Sequence, residues 1–202
     1  MTERPRAGAS RIVATCGLSL MLACIAGCGS QKPLPIDGNA AWAARTVAVA
    51  DSHVKLSVPA DWYAGEAWLQ ASSFTDLVGS FSNQPLSSPC ATGVNTIQCG
   101  LPLQSLQPDA VLVEIWHNSF SNWNLDSEPG TSSTVSGLMA RVADQSGGAG
   151  YCVGLGADRT RRVFIPFPSA PDNWIEIDIC SHGVADTVGD RIMESVAVSL
   201  PT

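Results

Sequence analysis

Cysteines are the side chains in this sequence with the widest chemistry, because a thiol can accept a lipid, form a disulfide or bind zinc. The chain has seven: Cys16, Cys24, Cys28, Cys90, Cys99, Cys152 and Cys180. The first three lie within or at the end of an apolar leader, and the other four are spread through the rest of the chain. This distribution predicts that a cysteine of the leader attaches the chain to a lipid, whereas the other four act within the folded domain.

The first 27 residues have the three parts of a secretory signal peptide. A basic stretch from Met1 to Arg11 precedes the apolar run Ile12–Gly27, and small residues stand before Cys28. The run has 16 residues, whereas a helix needs about 20 to cross a hydrocarbon core of roughly 30 Å. Export is therefore predicted, rather than a permanent membrane span.

The segment Ile25-Ala26-Gly27-Cys28 resembles the lipobox of bacterial lipoproteins, an aliphatic residue and two small residues before cysteine. The resemblance implies that the Cys28 thiol receives a diacylglycerol and that Cys28 becomes the N-terminus after cleavage. The alternative is a secreted protein that is cut nearby and keeps Cys28 free. Residues 1–27 are thus predicted to be a lipoprotein signal, 28–44 a lipidated, Gly-, Ser- and Pro-containing tether, and 45–202 one globular domain.

The four cysteines of the predicted domain form an even set, which in an exported protein predicts two disulfides. Three pairings are possible, and sequence distance favours Cys90 with Cys99 and Cys152 with Cys180. Alternation places Cys180 on the polar face of the predicted strand 174–180, and Cys152 away from the aliphatic side of a predicted strand 151–155. A four-thiolate zinc site is the alternative, but its close Cys pairs are absent from the sequence.

Histidines are the usual acid–base groups near neutral pH, and the sequence has His53, His117 and His182 in three separate segments. No serine nucleophile elbow, zinc-protease helix, phosphate-binding loop or calcium loop surrounds them. The glycines at 150, 154 and 156 predict a hairpin rather than a phosphate loop, since no Lys-Ser/Thr follows. A scattered catalytic site could still pair His117 with Asp126 or His182 with Asp186.

Tryptophans are the sequence feature that most suggests binding, because exposed indoles stack on sugar rings. The predicted domain contains Trp62, Trp68, Trp116, Trp123 and Trp174. Most of these positions are typical of indoles at the edge of a core. Trp123, in the polar stretch Ser119–Asn124, is predicted to be the exposed ring and the candidate ligand-binding residue.

The elements that must position these residues are mainly strands. Residues 54–58 alternate in polarity, which predicts a strand with one apolar face. Residues 110–116 are almost all apolar and predict a central strand. A hairpin is predicted for 162–167 and 174–180, joined by Pro168–Asp172. An apolar stripe between Ala185 and Val196 predicts a helix, followed by a short strand over 196–200. Residues 63–78 and 131–145 are ambiguous, the first favouring part helix.

This order predicts an α+β fold, a mostly antiparallel sheet with one or two packed helices in a single domain. Residues 54–62 (Val-Lys-Leu-Ser-Val-Pro-Ala-Asp-Trp) and the strand, helix and Ser195-Val196 ending of residues 174–200 resemble the PsbP-like α/β/α sandwich and lipoproteins of high-GC Gram-positive bacteria. The resemblance implies a sandwich-like fold and an envelope location. It implies no catalytic residues.

Composition narrows the classes of function. The 202 residues are 45% hydrophobic and 14% charged, which excludes a collagen, a coiled coil and a largely disordered chain. After residue 28 the chain has 8 basic and 17 acidic residues, a balance that should repel nucleic acid. We therefore expect a lipid-anchored protein on the extracytoplasmic face of the cell membrane, without cofactor, metal or catalytic activity, which binds an envelope protein or glycan. The alternative is a surface hydrolase with a scattered catalytic site.

Overall fold

The computed structural model describes residues 32–65, 67, 74–87, 102–183 and 186–200. These residues form ten strands and two α-helices, and seven of the strands precede the first helix. The strands are β1 (Trp42–Val49), β2 (Ser52–Pro59), β3 (Tyr63–Gly65), β4 (Thr75–Ser82), β5 (Val111–Ser119), β6 (Thr131–Val135), β7 (Leu138–Ser146), β8 (Arg159–Phe167), β9 (Ala170–Ser181) and β10 (Ala197–Ser199). The helices are α1 (Cys152–Leu155) and α2 (Asp186–Glu194), and a 3₁₀ turn covers Leu125–Ser127.

Seven of these strands form one antiparallel sheet in the order β3-β4-β5-β9-β8-β7-β6. β5 lies between β4 and β9, and its first five residues are all buried. The predicted central strand and the predicted β8–β9 hairpin are therefore confirmed. The hairpin turn is tighter than predicted, because Phe167 already pairs with Ala170.

A smaller antiparallel sheet, β1-β2-β10, covers one face of the large sheet, which we call the core face. β2 alternates between buried and exposed residues, and its buried Val54, Leu56 and Val58 share one core with Ile177 of β9. The two sheets approach closely at Gly79, where a Cβ atom would lie 3.0 Å from the side chain of Val47. Two antiparallel sheets thus provide most of the structure.

The predicted late helix and final strand are confirmed as α2 and β10. α2 packs Val188 and Ile192 into the core between the sheets. The other helix, α1, has only four residues. In the described residues the layer over the core face is therefore mainly a second sheet, which differs from the predicted α/β/α sandwich. No helix in this part of the chain is both long and apolar enough to cross a bilayer.

The opposite face of the large sheet, which we call the site face, is covered at one end by α1 and residues 102–107. Here Cys152 of α1 forms a disulfide with Cys180 of β9, and their Cα atoms are 5.4 Å apart. The predicted Cys152–Cys180 pairing is confirmed. Cys28, Cys90 and Cys99 lie outside the described residues.

The predicted strand 151–155 is wrong, and so is the predicted glycine hairpin, because these residues form α1. Cys152 and Leu155, three residues apart, are buried while Val153 is exposed, as one helical turn requires. Gly156 ends the turn in the left-handed region at φ +79°. An alternation over only five residues is compatible with a strand and with one helical turn, so the pattern could not distinguish them.

Both ambiguous segments form strands where they are described. Residues 131–145 form the β6–β7 hairpin, whose turn residues Ser136 and Gly137 both have positive φ. Residues 63–65 and 75–78 belong to β3 and β4, so no part of the expected helix appears there. The body also begins earlier than the predicted Arg45. β1 starts at Trp42, and Leu34 exchanges two hydrogen bonds with Asn83, at 2.7 and 2.9 Å.

Candidate functional site

The site face carries an open cleft of about 220 Å³ next to the end covered by α1. We call it the site cleft. It is lined by polar and aromatic side chains: Thr75, Trp116, Asn118, Tyr151, Arg162, Glu176 and Asp178. Five of these seven residues come from three neighbouring strands, β5, β9 and β8.

Strand pairing and alternation bring these residues together. Trp116 lies across from Glu176, Glu114 lies across from Asp178, and Asp178 is also paired with Arg162 on its other side. Because successive residues of a strand point to opposite faces, these positions all share the site face while the isoleucines of β9 fill the core. The site is therefore built on rigid central strands and not on loops.

Arg162 holds two carboxylates in the cleft. Its Nε donates to Asp178 Oδ1 at 3.0 Å, and its Nη2 makes a short bond to Glu176 Oε1. Asn118 Nδ2 donates to the other oxygen of Glu176 at 3.1 Å. Burial lowers the pKa of Arg162, but the charges of Asp178 and Glu176 more than offset this and raise it. These planar groups are thus fixed relative to one another.

Two carboxyl groups on this face have raised pKa values. Burial raises the pKa of Glu114 to about 8, and the charge of Asp178 contributes in the same direction. Burial also raises the pKa of Asp178, as does the neighbouring Glu176, while Arg162 opposes both effects. Perturbed acids around a cleft are typical of functional sites.

Glu114 has no exposed surface, and neither carboxyl oxygen has a hydrogen-bond partner at ordinary distance. The Trp116 side chain, as a hydrogen-bond donor to this carboxyl group, favours its charged form, but burial and the charge of Asp178 raise the pKa of Glu114 by more. Tyr151, which lines the cleft from the segment before α1, donates its hydroxyl to the Leu103 carbonyl at 2.8 Å. Its pKa is raised by burial and by Glu114. The cleft therefore lies over a buried acid whose uncharged form is favoured.

Four aromatic rings continue from one end of the site cleft, and we call them the aromatic patch: Phe74, Phe120, Trp123 and Trp174. Trp174 lies across from Asn118, which lines the cleft. The ring centroids are 5.4 Å apart for Phe74 and Phe120 and 5.8 Å apart for Phe120 and Trp174. Phe74 is 64% exposed and Phe120 45% exposed.

Trp123 is not the exposed ring that the sequence predicts. It is half-buried and stacks on Trp174 with a centroid distance of 4.3 Å, and its indole N–H donates to Glu128 at 2.7 Å. The stacking is possible because the chain turns back after Ser119 and brings Trp123 over the end of β9. The exposed rings of this region are Phe74 and Phe120, and Phe120 packs against Trp174, on which Trp123 stacks.

The predicted pairing of His117 with Asp126 is not found in the described residues. His117 points to the core face, where it packs edge-on against Phe167, and the structure gives it no contact with Asp126, which instead lies 4.0 Å from Arg141. His182 lies 3.3 Å from the Leu106 carbonyl, and the side chain of Asp186 lies outside the described part of the structure. His53 is exposed on β2.

No group of three or more His, Cys, Asp or Glu side chains in the described segments is arranged to hold a metal ion. A second hollow of about 260 Å³ lies between the β1–β2 and β8–β9 turns, but Asp51 is the only ionisable residue that lines it. The convergence of charge, aromatic rings and perturbed pKa values favours the site cleft.

Glu114, Arg162, Glu176 and Asp178 were not identified as site residues from the sequence. A usable signal was present, because Glu114 interrupts the apolar run 110–116, and Glu176 and Asp178 are polar residues of a strand whose other face is all isoleucine. A charged residue inside a central strand must be paired, neutral or functional. The pairing of β5 with β9, which places these acids side by side, could not be read from the sequence.

Comparison of the chain with protein-family models and with curated proteins finds no match.

Proposed function

We propose that this chain is a lipid-anchored extracytoplasmic protein whose folded domain binds an envelope glycan without catalysing a reaction on it. The observation that carries the proposal is the continuity between the aromatic patch and the site cleft on one face of the sheet. The signal sequence and Cys28 of the lipobox support the anchoring.

A glycan fits this surface because sugars present apolar ring faces and hydroxyl edges side by side. The exposed Phe74 and Phe120 can stack on a ring face. Asn118, Glu176 and Arg162 present planar donors and acceptors that already hold one another in place, so little side-chain entropy is lost when hydroxyl groups bind.

Binding is favoured over hydrolysis by the same geometry. The two carboxylates that line the cleft, Glu176 and Asp178, are both paired with Arg162. Glu114, whose pKa of about 8 would suit a general acid, has no exposed surface from which to reach a substrate. Neither His117 nor His182 lines the site cleft, so we expect His117→Ala and His182→Ala to leave glycan binding intact.

The proposal is tested by sedimentation of the mature protein with insoluble envelope polysaccharide. Phe120→Ala removes the exposed ring that bridges Phe74 and Trp174, and we expect it to weaken binding by about tenfold. The matched control is Tyr63→Ala, which removes a ring that is 38% exposed on β3, beside the opposite end of β4. Equal binding by the wild type and both variants would refute the aromatic patch as the glycan site.

A further inference from the structure

Among the described residues, the site cleft and the strands beneath it have more carboxyl groups than cations. Three carboxyl groups, of Glu114, Glu176 and Asp178, occupy adjacent positions of β5 and β9 on the site face. Arg162 is the cation that pairs with two of them, and Glu114 is left with two buried, unpartnered oxygens. A bound group of positive charge would complete this arrangement.

Packing alone does not account for Glu114. A buried carboxyl group without partners opposes folding, and an uncharged side chain of similar size would fill the same space without that cost. Glu114 therefore makes sense as part of a site in which a cation bound in the cleft would favour its charged form without contacting it. Residues at ligand sites often lower the stability of the folded protein in this way.

The chemistry of the cleft selects an organic cation over a metal ion. The described carboxylates do not converge as metal ligands, because Glu176 and Asp178 both turn toward Arg162. Trp116 and Tyr151 line the same cleft, and aromatic faces attract ammonium groups. The adjoining aromatic patch is the proposed sugar-stacking surface, so the cation and the sugar ring would belong to one ligand.

We propose that the site cleft binds the protonated amine of an amino-sugar residue, with Glu176 and Asp178 beside the amine and Glu114 behind them. This inference rests on the proposed glycan binding and specifies its substrate class. Glu114 acts here as a positioning residue, because it lies behind the cleft lining and influences the ligand through its charge.

The groups that face Glu114 determine how pH affects this binding. They are Asp178 and Glu176 on β9, Arg162 on β8, Tyr151 before α1 and the indole of Trp116 on its own strand. A bound ammonium ion would favour the charged form of Glu114 and so release a proton. Affinity for an amino sugar should therefore rise with pH only while the sugar amine stays protonated, because deprotonation of the amine opposes the effect of Glu114 ionisation.

Calorimetric titration of the full mature protein with two probes of equal length, glucosamine oligomers and N-acetylglucosamine oligomers, tests this inference. We expect the free amine to bind at least about tenfold more tightly, a preference that Glu114→Gln and Asp178→Asn each abolish. Asp126→Asn, which neutralises an acid with 86% side-chain exposure, should keep the preference. Glu114→Gln should also raise the melting temperature, which shows that it folds.

Equal affinity for the two oligomers would overturn the amine subsite and leave glycan binding standing. A preference that survives in both Glu114→Gln and Asp178→Asn would also overturn it. Phe120→Ala separates the two proposals, because it should weaken both oligomers while the ratio between them stays the same. Failure of both oligomers to bind the wild type would overturn this inference together with the proposed ligand class.

Discussion

Glu114 links the stability of the domain to pH. Its pKa is about 8 in the folded protein against an ordinary value of 4.5, so the folded state holds the proton more tightly than the unfolded state. The free energy of unfolding should therefore fall by about 1.4 kcal/mol per pH unit from this group as pH rises between these two values. The contribution is fully present below pH 4.5 and lost above pH 8.

Glu114→Gln should remove this dependence, since glutamine cannot ionise. Urea denaturation of the wild type and the variant at pH 5, 6.5 and 8 measures the difference. We expect the variant to gain stability relative to the wild type as pH rises, by a few kcal/mol at pH 8. A difference that is constant with pH would contradict the buried, unpaired state of this carboxyl group.

Asn83 is a second residue on which the structure depends. Its side chain is fully buried, donates to the carbonyls of Leu34 and Asp109 at 2.9 Å each and accepts from the Val111 N–H at 2.8 Å. Asn83→Ala leaves these backbone groups without partners and should lower the free energy of unfolding by about 2–4 kcal/mol. Chemical denaturation measures this, with Asn39→Ala, at a largely exposed turn, as the control.

At the scale of elements, α1 depends on its disulfide. A helix of four residues is not stable alone, and Cys152 fastens it to Cys180 of β9. Replacement of both cysteines by alanine opens a loop of about 29 residues and should lower the free energy of unfolding by roughly 3.6 kcal/mol in the chain-entropy model.

The same double variant should also weaken glycan binding, because Tyr151 lines the site cleft directly before α1. Thermal denaturation and the sedimentation assay measure the two effects. Peptide mapping of the unreduced protein provides the control, and a link from Cys90 or Cys99 to Cys152 or Cys180 would refute the bridge. An unchanged melting temperature would show that α1 is held by its packing alone.

Elements with a long, regular pattern could be predicted from the sequence. Five elements are found where their apolar pattern places them: β2, β5, β8, β9 and α2. Each has either one clear apolar face or, as in β5, a continuous run of buried residues. Short segments could not be predicted in this way. Around α1, the alternation over residues 151–155 is compatible with a strand and with one helical turn. In β6, the residues Thr131–Thr134 are exposed and have no apolar pattern.

The candidate site was harder to predict than the strands that carry it. Sequence pointed to the region around Trp123, and the aromatic patch does lie there, but which ring is exposed depends on the stacking of Trp123 on Trp174. The carboxyl groups of the cleft become a site only through the pairing of β5 with β9, whose partners are 54 to 70 positions apart along the chain. Long-range register is not contained in local periodicity.

At the scale of the whole molecule, the proposed anchor is tested by Cys28→Ala. Without the thiol no diacylglycerol can be attached, so the protein should move from the membrane fraction to the medium or remain as an uncleaved precursor. Cell fractionation with immunoblotting measures this. Normal cleavage with unchanged membrane attachment would contradict the lipoprotein proposal, and Cys24→Ala, which replaces a cysteine inside the predicted signal peptide, is the control.

The two hydrogen bonds between Leu34 and Asn83 fix the point at which the segment before β1 joins the large sheet. Asn83 follows the last residue of β4, and Phe74 precedes its first, with roughly 25 Å of strand between them. The exposed phenylalanines therefore lie at the opposite end of β4 from this attachment. A polymer that stacks on Phe74 and Phe120 would leave the attachment uncovered, so the segment before β1 and the ligand would not compete for the same surface.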